Sequence, residues 1–179
     1  MFFFYLIFNS LFFVILTLVH EMGHYLMGRY IGIPKQNMKI EMGKFPQYVA
    51  LRKDGEFISP VEFEKYIAAY FEHDPKGRYS FRFINAGFVA EFIVILTLFP
   101  IFNFLLEIPS LSISLIMTAL AVYVGYLVLS IGMKIKTRTP WGDFGGMWEI
   151  SKPRSACIIT LSIAAKIVLL LVSISLVYS

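Results

Sequence analysis

Long apolar runs dominate the pattern of hydrophobic and polar positions. Residues 2–19 carry no charge, and comparable runs cover 81–106, 111–133 and 155–178. Each is near the ~20 residues that a helix needs to cross a bilayer core. The first run lacks a basic leader and a small-residue cleavage site, and it leads straight into His20-Glu21. It therefore reads as a mature helix extending to residue 31 rather than a signal peptide. The expected fold is an all-α membrane protein of about four transmembrane helices, at roughly 2–31, 81–106, 111–133 and 155–178, forming a single domain over 1–179.

Between the first two runs, residues 33–80 follow other periods. Met38, Ile40 and Met42 alternate with Lys39 and Glu41, a strand pattern, and residues 48–51 form a second candidate. Asp54-Gly55 can turn the chain into residues 56–58, making a hairpin. Ser59-Pro60-Val61-Glu62 predicts a helix start, with Ser59 capping, Pro60 in the first helical position and Glu62 closing a capping box. That helix would carry Phe63, Tyr66, Ile67, Tyr70 and Phe71 and end before Asp74-Pro75. The insertion thus predicts a small interfacial β-hairpin and helix after the first span. Its aromatic stripe either lies in the interface or packs on the strands, and packing is the default.

Composition sharpens the class. With 58% hydrophobic and 16% charged residues, the chain has too little charge to cover a soluble surface. The net charge of +4 does not indicate a nucleic-acid partner, because the basic residues lie in loops beside apolar runs. Segment 29–82 holds most of them and 134–154 nearly all the rest, including Lys134, Lys136 and Arg138, so the positive-inside rule places both segments in the cytoplasm. Both termini and the short connection at Glu107 then face outward. The single cysteine, Cys157, excludes an intrachain disulfide and reads as a packing residue.

Candidate chemistry centres on His20-Glu21-Met22-Gly23-His24, an HExxH pattern that holds two of the chain's three histidines. On a helix, positions i and i+4 share a face, so both imidazoles can bind one zinc ion. Zinc lowers the pKa of a bound water to about 7, and Glu21 can take its proton, which suits amide hydrolysis. Histidine and glutamate are costly inside an apolar helix, which favours a functional origin over coincidence. Glu91 lies about ten residues into the second run and should face the bundle interior, as a site residue, a ligand or a structural hydrogen-bond partner. His73 reads as a solvated side chain, Asn85 and Asn103 as amides near span ends, and Trp141 and Trp148 as interfacial anchors. Gly142, Gly145 and Gly146 predict an irregular backbone around Asp143.

The stretch His-Glu-Met-Gly-His-Tyr-Leu-Met-Gly-Arg-Tyr-Ile-Gly-Ile, residues 20–33, resembles the first signature of the site-2 protease family of intramembrane zinc metalloproteases. Two further signatures have degenerate counterparts in order. The family's Gly-Pro-x-x-Asn element is matched by Gly87, with Phe88 in place of Pro and Glu91 in place of Asn. Its Leu-Asp-Gly element is matched by Asp143, which Phe144 separates from the glycines. The resemblance implies a three-helix catalytic core, one zinc ion held by His20, His24 and Asp143, Glu21 as general base, and a membrane-embedded protein substrate. Gly87, Glu91 and Asn85 would line the site. Two other readings stay open: a membrane zincin acting on soluble or lipid-modified peptides with a glutamate as third ligand, and a non-catalytic zinc-binding membrane protein. The substrate's identity and any regulatory partner stay open as well.

Sidedness is testable by cysteine-accessibility labelling at positions 53 and 110 after replacement of Cys157. Position 110 should label from outside and position 53 only after permeabilisation. Labelling of position 53 in intact cells would contradict the orientation.

Overall fold

A computed structural model describes residues 2–178. Helix α1 runs over Phe2–Ile31, and a three-residue 3-10 turn, Lys35–Asn37, leads into strand β1, Met38–Glu41. Strands β2 (Tyr48–Lys53) and β3 (Glu56–Ile58) follow, then α2 (Phe63–Phe71) and α3 (Ser80–Pro100). A π-helical turn at Ile101–Leu105 ends α3, and α4 covers Pro109–Thr137. The short α5, Gly142–Ile150, and the long α6, Lys152–Val177, complete the fold. Four helices are long and apolar enough to cross a membrane: Phe3–Ile31, Ser80–Leu105, Pro109–Thr137 and Lys152–Val177. The chain is therefore a membrane protein by architecture.

The expected spans recur with shifted ends. α4 starts two residues earlier than residue 111, because Pro109 suits the first helical turn, and it continues to Thr137, where Arg138 caps it with φ 60°. α6 starts at Lys152, again with a proline in its first turn. Hydrogen bonds from Leu106 N–H to Ile101 O and from Ile108 N–H to Phe102 O close the π turn and deliver the chain to α4.

The insertion forms an antiparallel sheet in the order β1-β2-β3. Asp54 and Gly55 both take positive φ, 51° and 89°, as a two-residue hairpin turn requires. In β1, Met38 is buried and Lys39 exposed, as the alternation predicts. Val49, Ala50 and Leu51 are all buried, so the central strand is covered on both faces. Val49 and Leu51 join Ile33, Met38, Ala69, Tyr70 and Phe83 in one apolar core, with Tyr66 packed against it. Tyr66 and Tyr70 of the α2 stripe thus pack on the strands, while Phe71 stays exposed. The expected capping box does not form. Ser59 and Glu62 instead close a turn, with Glu62 N–H to Ser59 O at 2.9 Å, and α2 begins at Phe63 without a side-chain cap.

A second core lies inside the helical bundle, built on Phe12, Leu16, Ile95, Leu115, Ile116 and Ala119. Apolar burial between helices gains little when the alternative is lipid, so close packing of small residues carries the association. Gly23 supplies it between α1 and α3. A Cβ built there would lie 2.8 Å from Ala90 Cβ and 2.9 Å from the Ala86 carbonyl carbon. The 142–146 segment meets the expectation of irregular backbone only at Gly142, which takes φ 62°. From Asp143 on it is helical, and Gly145 and Gly146 serve close contact with Pro140 and Ile84.

The α1–α3 contact has a direct test. Gly23→Val should lower stability by at least ~1–3 kcal/mol through overpacking. Gly125→Ala, where nothing lies within 4 Å of the added carbon, should be neutral or better. Thermal unfolding in detergent compares the two, and equal unfolding temperatures would contradict the packing.

Candidate metal centre

α1 presents Thr17, Glu21 and His24 on one buried stripe, with His20 beside them. This follows from helical geometry, since positions 17, 20, 21 and 24 are three and four apart. α3 lies against that stripe closely enough that a Cβ at Gly87 would fall 2.5 Å from His20 Nε2. Gly87 is therefore the space in which the His20 ring sits. α5 brings Asp143 from the other side. His20, His24 and Asp143 form a group whose ligand atoms all lie within 4.8 Å of one another and could hold a metal ion.

The hydrogen bonds orient each imidazole. His24 Nδ1 lies 2.8 Å from the Phe83 carbonyl oxygen, which can only accept, so Nδ1 carries the proton. His20 Nδ1 lies 2.6 Å from Glu91 Oε1 and donates to that carboxylate. Neutral rings then leave both Nε2 atoms as bare lone pairs. Those atoms are 3.1 Å apart, and Asp143 Oδ2 lies 2.7 Å from His20 Nε2 and 3.1 Å from His24 Nε2. Three electron-rich atoms converge on one point, an arrangement that is repulsive without a shared cation and ligating with one.

Glu91 is thus placed behind His20 and not among the converging atoms. It is buried and reaches the ring nitrogen opposite to the one facing Asp143. A carboxylate in that position fixes the tautomer and raises the basicity of the ring. Glu21 is buried, lines the same cavity and makes no hydrogen bond with a described residue. Asn85 does not line the cavity, and its Oδ1 is buried without a hydrogen-bond partner among the described residues. His73 is half-buried and outside the site.

Asp143 stays exposed by 31% of its side chain, toward the cavity. That cavity, about 570 Å³, is largely apolar and runs from His20, Glu21 and His24 past Val49, Tyr66 and Tyr126. The β1–β2 loop reaches across it to α4, where the Tyr126 O–H donates to Gln47 Oε1 at 3.3 Å and Phe45 stacks on the Tyr126 ring. Tyr66 closes another wall. Burial, foremost, and the Asp143 and Glu21 charges keep its phenol protonated, so it donates to Val49 O at 3.0 Å.

Two further contacts seat α5. Ser130 Oγ donates to Trp141 O at 2.7 Å, and Lys134 pairs with Glu149. One buried charge near the site went unnoticed in the sequence. Lys166 sits inside α6 and is 1% exposed. A lysine interrupting the run 155–178 was the available signal.

Fold and site together define a helical membrane protein with a candidate metal centre at the meeting of α1, α3 and α5. Comparison with protein-family models, curated proteins and solved structures gives no match.

The roles of the two carboxylates separate experimentally. Asp143→Ala should weaken binding of added cobalt(II), read by its absorption in purified protein, by more than ~100-fold, and Glu91→Gln by ~10-fold, the scale for a partner behind a ligand. The reverse order would make Glu91 the ligand.

Proposed function

We propose that the chain is a zinc-dependent intramembrane endopeptidase of the site-2 protease type, acting on a membrane-associated protein or peptide. The observation that carries this reading is the convergence of His20 Nε2, His24 Nε2 and Asp143 Oδ2, with Glu21 beside them in a cavity. Two imidazole nitrogens and one carboxylate oxygen are a donor set that zinc takes in catalytic sites, which keep a further position open. The observed edges of 2.7, 3.1 and 3.1 Å fall a few tenths of an ångström short of the ~3.3 Å edge of a tetrahedron with arms of about 2.0–2.1 Å. The partly exposed Asp143 side chain has room to supply the difference.

His20, His24 and Asp143 would hold the zinc, which would supply Lewis acidity toward a carbonyl and lower the pKa of water at the site. The chain's own residues do the remainder. Glu21, with no competing hydrogen bond, accepts the proton of the attacking water and passes it to the departing amine. Glu91 and the Phe83 carbonyl hold the imidazoles with their Nε2 lone pairs forward. The apolar cavity walls lower the local dielectric and strengthen each of these interactions.

Substrate binding has a candidate surface. β3 pairs with β2 only from Leu51 to Lys53, so residues 48–50 lack a strand partner on that side. Tyr48 and Val49 line the cavity there. An unwound substrate segment that displaces the Tyr66 hydroxyl from the Val49 carbonyl can add to this edge as a strand and bring its peptide bond to the cluster. By the charge rule the site opens toward the cytoplasm of a cell-membrane protein.

The test pairs metal content with cleavage of tagged single-span substrates. Glu21→Gln should retain zinc at the native ratio and reduce cleavage by at least ~10²–10⁴-fold, since an amide cannot take the proton. Near-native turnover by this variant would remove the protease mechanism.

A further inference from the structure

Lys166 is buried where a lysine is most costly. It lies about fourteen residues from the start of α6 and eleven from its end, roughly 21 Å and 16 Å along the axis, so its ammonium cannot reach either interface. Its Nζ donates to Ser162 Oγ at 2.7 Å, one turn earlier. It also sits 4.2 Å from the centre of the Tyr123 ring on α4 and 5.9 Å from that of Phe92 on α3. A desolvated cation over an aromatic face is held more strongly than an exposed one.

The Tyr123 ring leads from this cation to the cluster. It meets Phe88 edge-on at 5.1 Å and Phe144 at 4.9 Å and 86°. Phe88 and Phe144 lie 4.6 Å apart. Phe88 in turn meets the His20 ring at 4.9 Å and 77°, and Phe144 is the residue after Asp143. These three aromatic residues and Met147 form one buried core behind the site. The buried Tyr123 hydroxyl lies toward Ser162 of α6 without a well-formed hydrogen bond to a described residue, and the ring face carries the contact with Lys166.

We infer that Lys166 is a positioning residue of the metal centre: its ammonium locks the Tyr123 ring, which fixes the Phe88–Phe144 pair that orients His20 and Asp143. The inference rests on the metal-centre reading above. It gives α6, which contributes no ligand, a defined part in the site. It also accounts for a buried charge that packing alone would replace with methionine or leucine.

Zinc affinity of the purified full chain, measured by competition with a chromophoric chelator, tests it. Lys166→Met should bind zinc ~10-fold or more weakly, the scale for groups that act through a ligand's neighbours. Lys166→Arg, which keeps the cation, should stay within about threefold of native by the same measure. Tyr123→Phe should match native, and Tyr123→Leu should match Lys166→Met. The double variant Lys166→Met/Tyr123→Leu should be no weaker than either single one, because both break the same contact. If Lys166→Met does not purify as a single species, the contrast between Tyr123→Phe and Tyr123→Leu decides. Native affinity in Lys166→Met or in Tyr123→Leu would overturn the inference while leaving the metal centre standing. Equal losses in Lys166→Arg and Lys166→Met would also overturn it, by showing a purely steric role. A native chain that binds no zinc would remove the metal reading and this inference together.

Discussion

Three lone pairs pointing at one another between α1 and α5 are the constraint on which the rest of the structure depends. His20 and His24 can present bare Nε2 atoms only if their Nδ1 protons are occupied elsewhere, and Glu91 and the Phe83 carbonyl, both on α3, occupy them. α3 must therefore run close beside α1, and it does so over Gly23 and Gly87, where side chains would collide. α5 must in turn reach back to deliver Asp143, which explains its seating on α4 through Ser130 and Lys134. Each of these local features is costly or neutral alone. Together they hold converging donors at hydrogen-bonding distances.

Setting the site in an apolar bundle raises the stakes of every polar contact. Glu21, His24, Glu91 and Lys166 are all buried, and each needs a partner or a role to be tolerated there. Glu91 has His20, and Lys166 has Ser162 and the face of Tyr123. Of these four, Glu21 alone makes no hydrogen bond with a described residue, and it lies in the wall of the cavity. The sheet and α2 share an apolar core around Val49, Leu51 and Tyr70 with Phe83 of α3, so the insertion is packed against the bundle where it borders that cavity. A strand edge held beside converging metal ligands is a geometry suited to an extended peptide.

Much of this was legible in the sequence. Apolar runs of bilayer length marked the four long helices, because nothing but lipid or a buried core accommodates them. Alternation at residues 38–42 and the Asp54-Gly55 turn marked the sheet, and the spacing of His20 and His24 marked a shared helix face. What sequence could not supply was contact between distant segments. Glu91 pairs with a ring nitrogen 71 residues away, and no local period encodes that. Gly142, Gly145 and Gly146 read as loop signals, which holds for Gly142 with its φ of 62°, yet close approach to Pro140 and Ile84 made small residues necessary at 145 and 146 in a helix. The Ser59 to Glu62 capping signal lost to a tight turn that seats α2 on the sheet. Lys166 was hidden by the apolar run around it.

X-ray absorption at the zinc edge of the purified native chain is the most direct measurement of the central claim. The account predicts stoichiometric zinc with two imidazole nitrogens at about 2.0–2.1 Å and oxygen ligands completing four-coordination. A protein that carries no zinc after growth in zinc-replete medium, or zinc without imidazole in its shell, would contradict it.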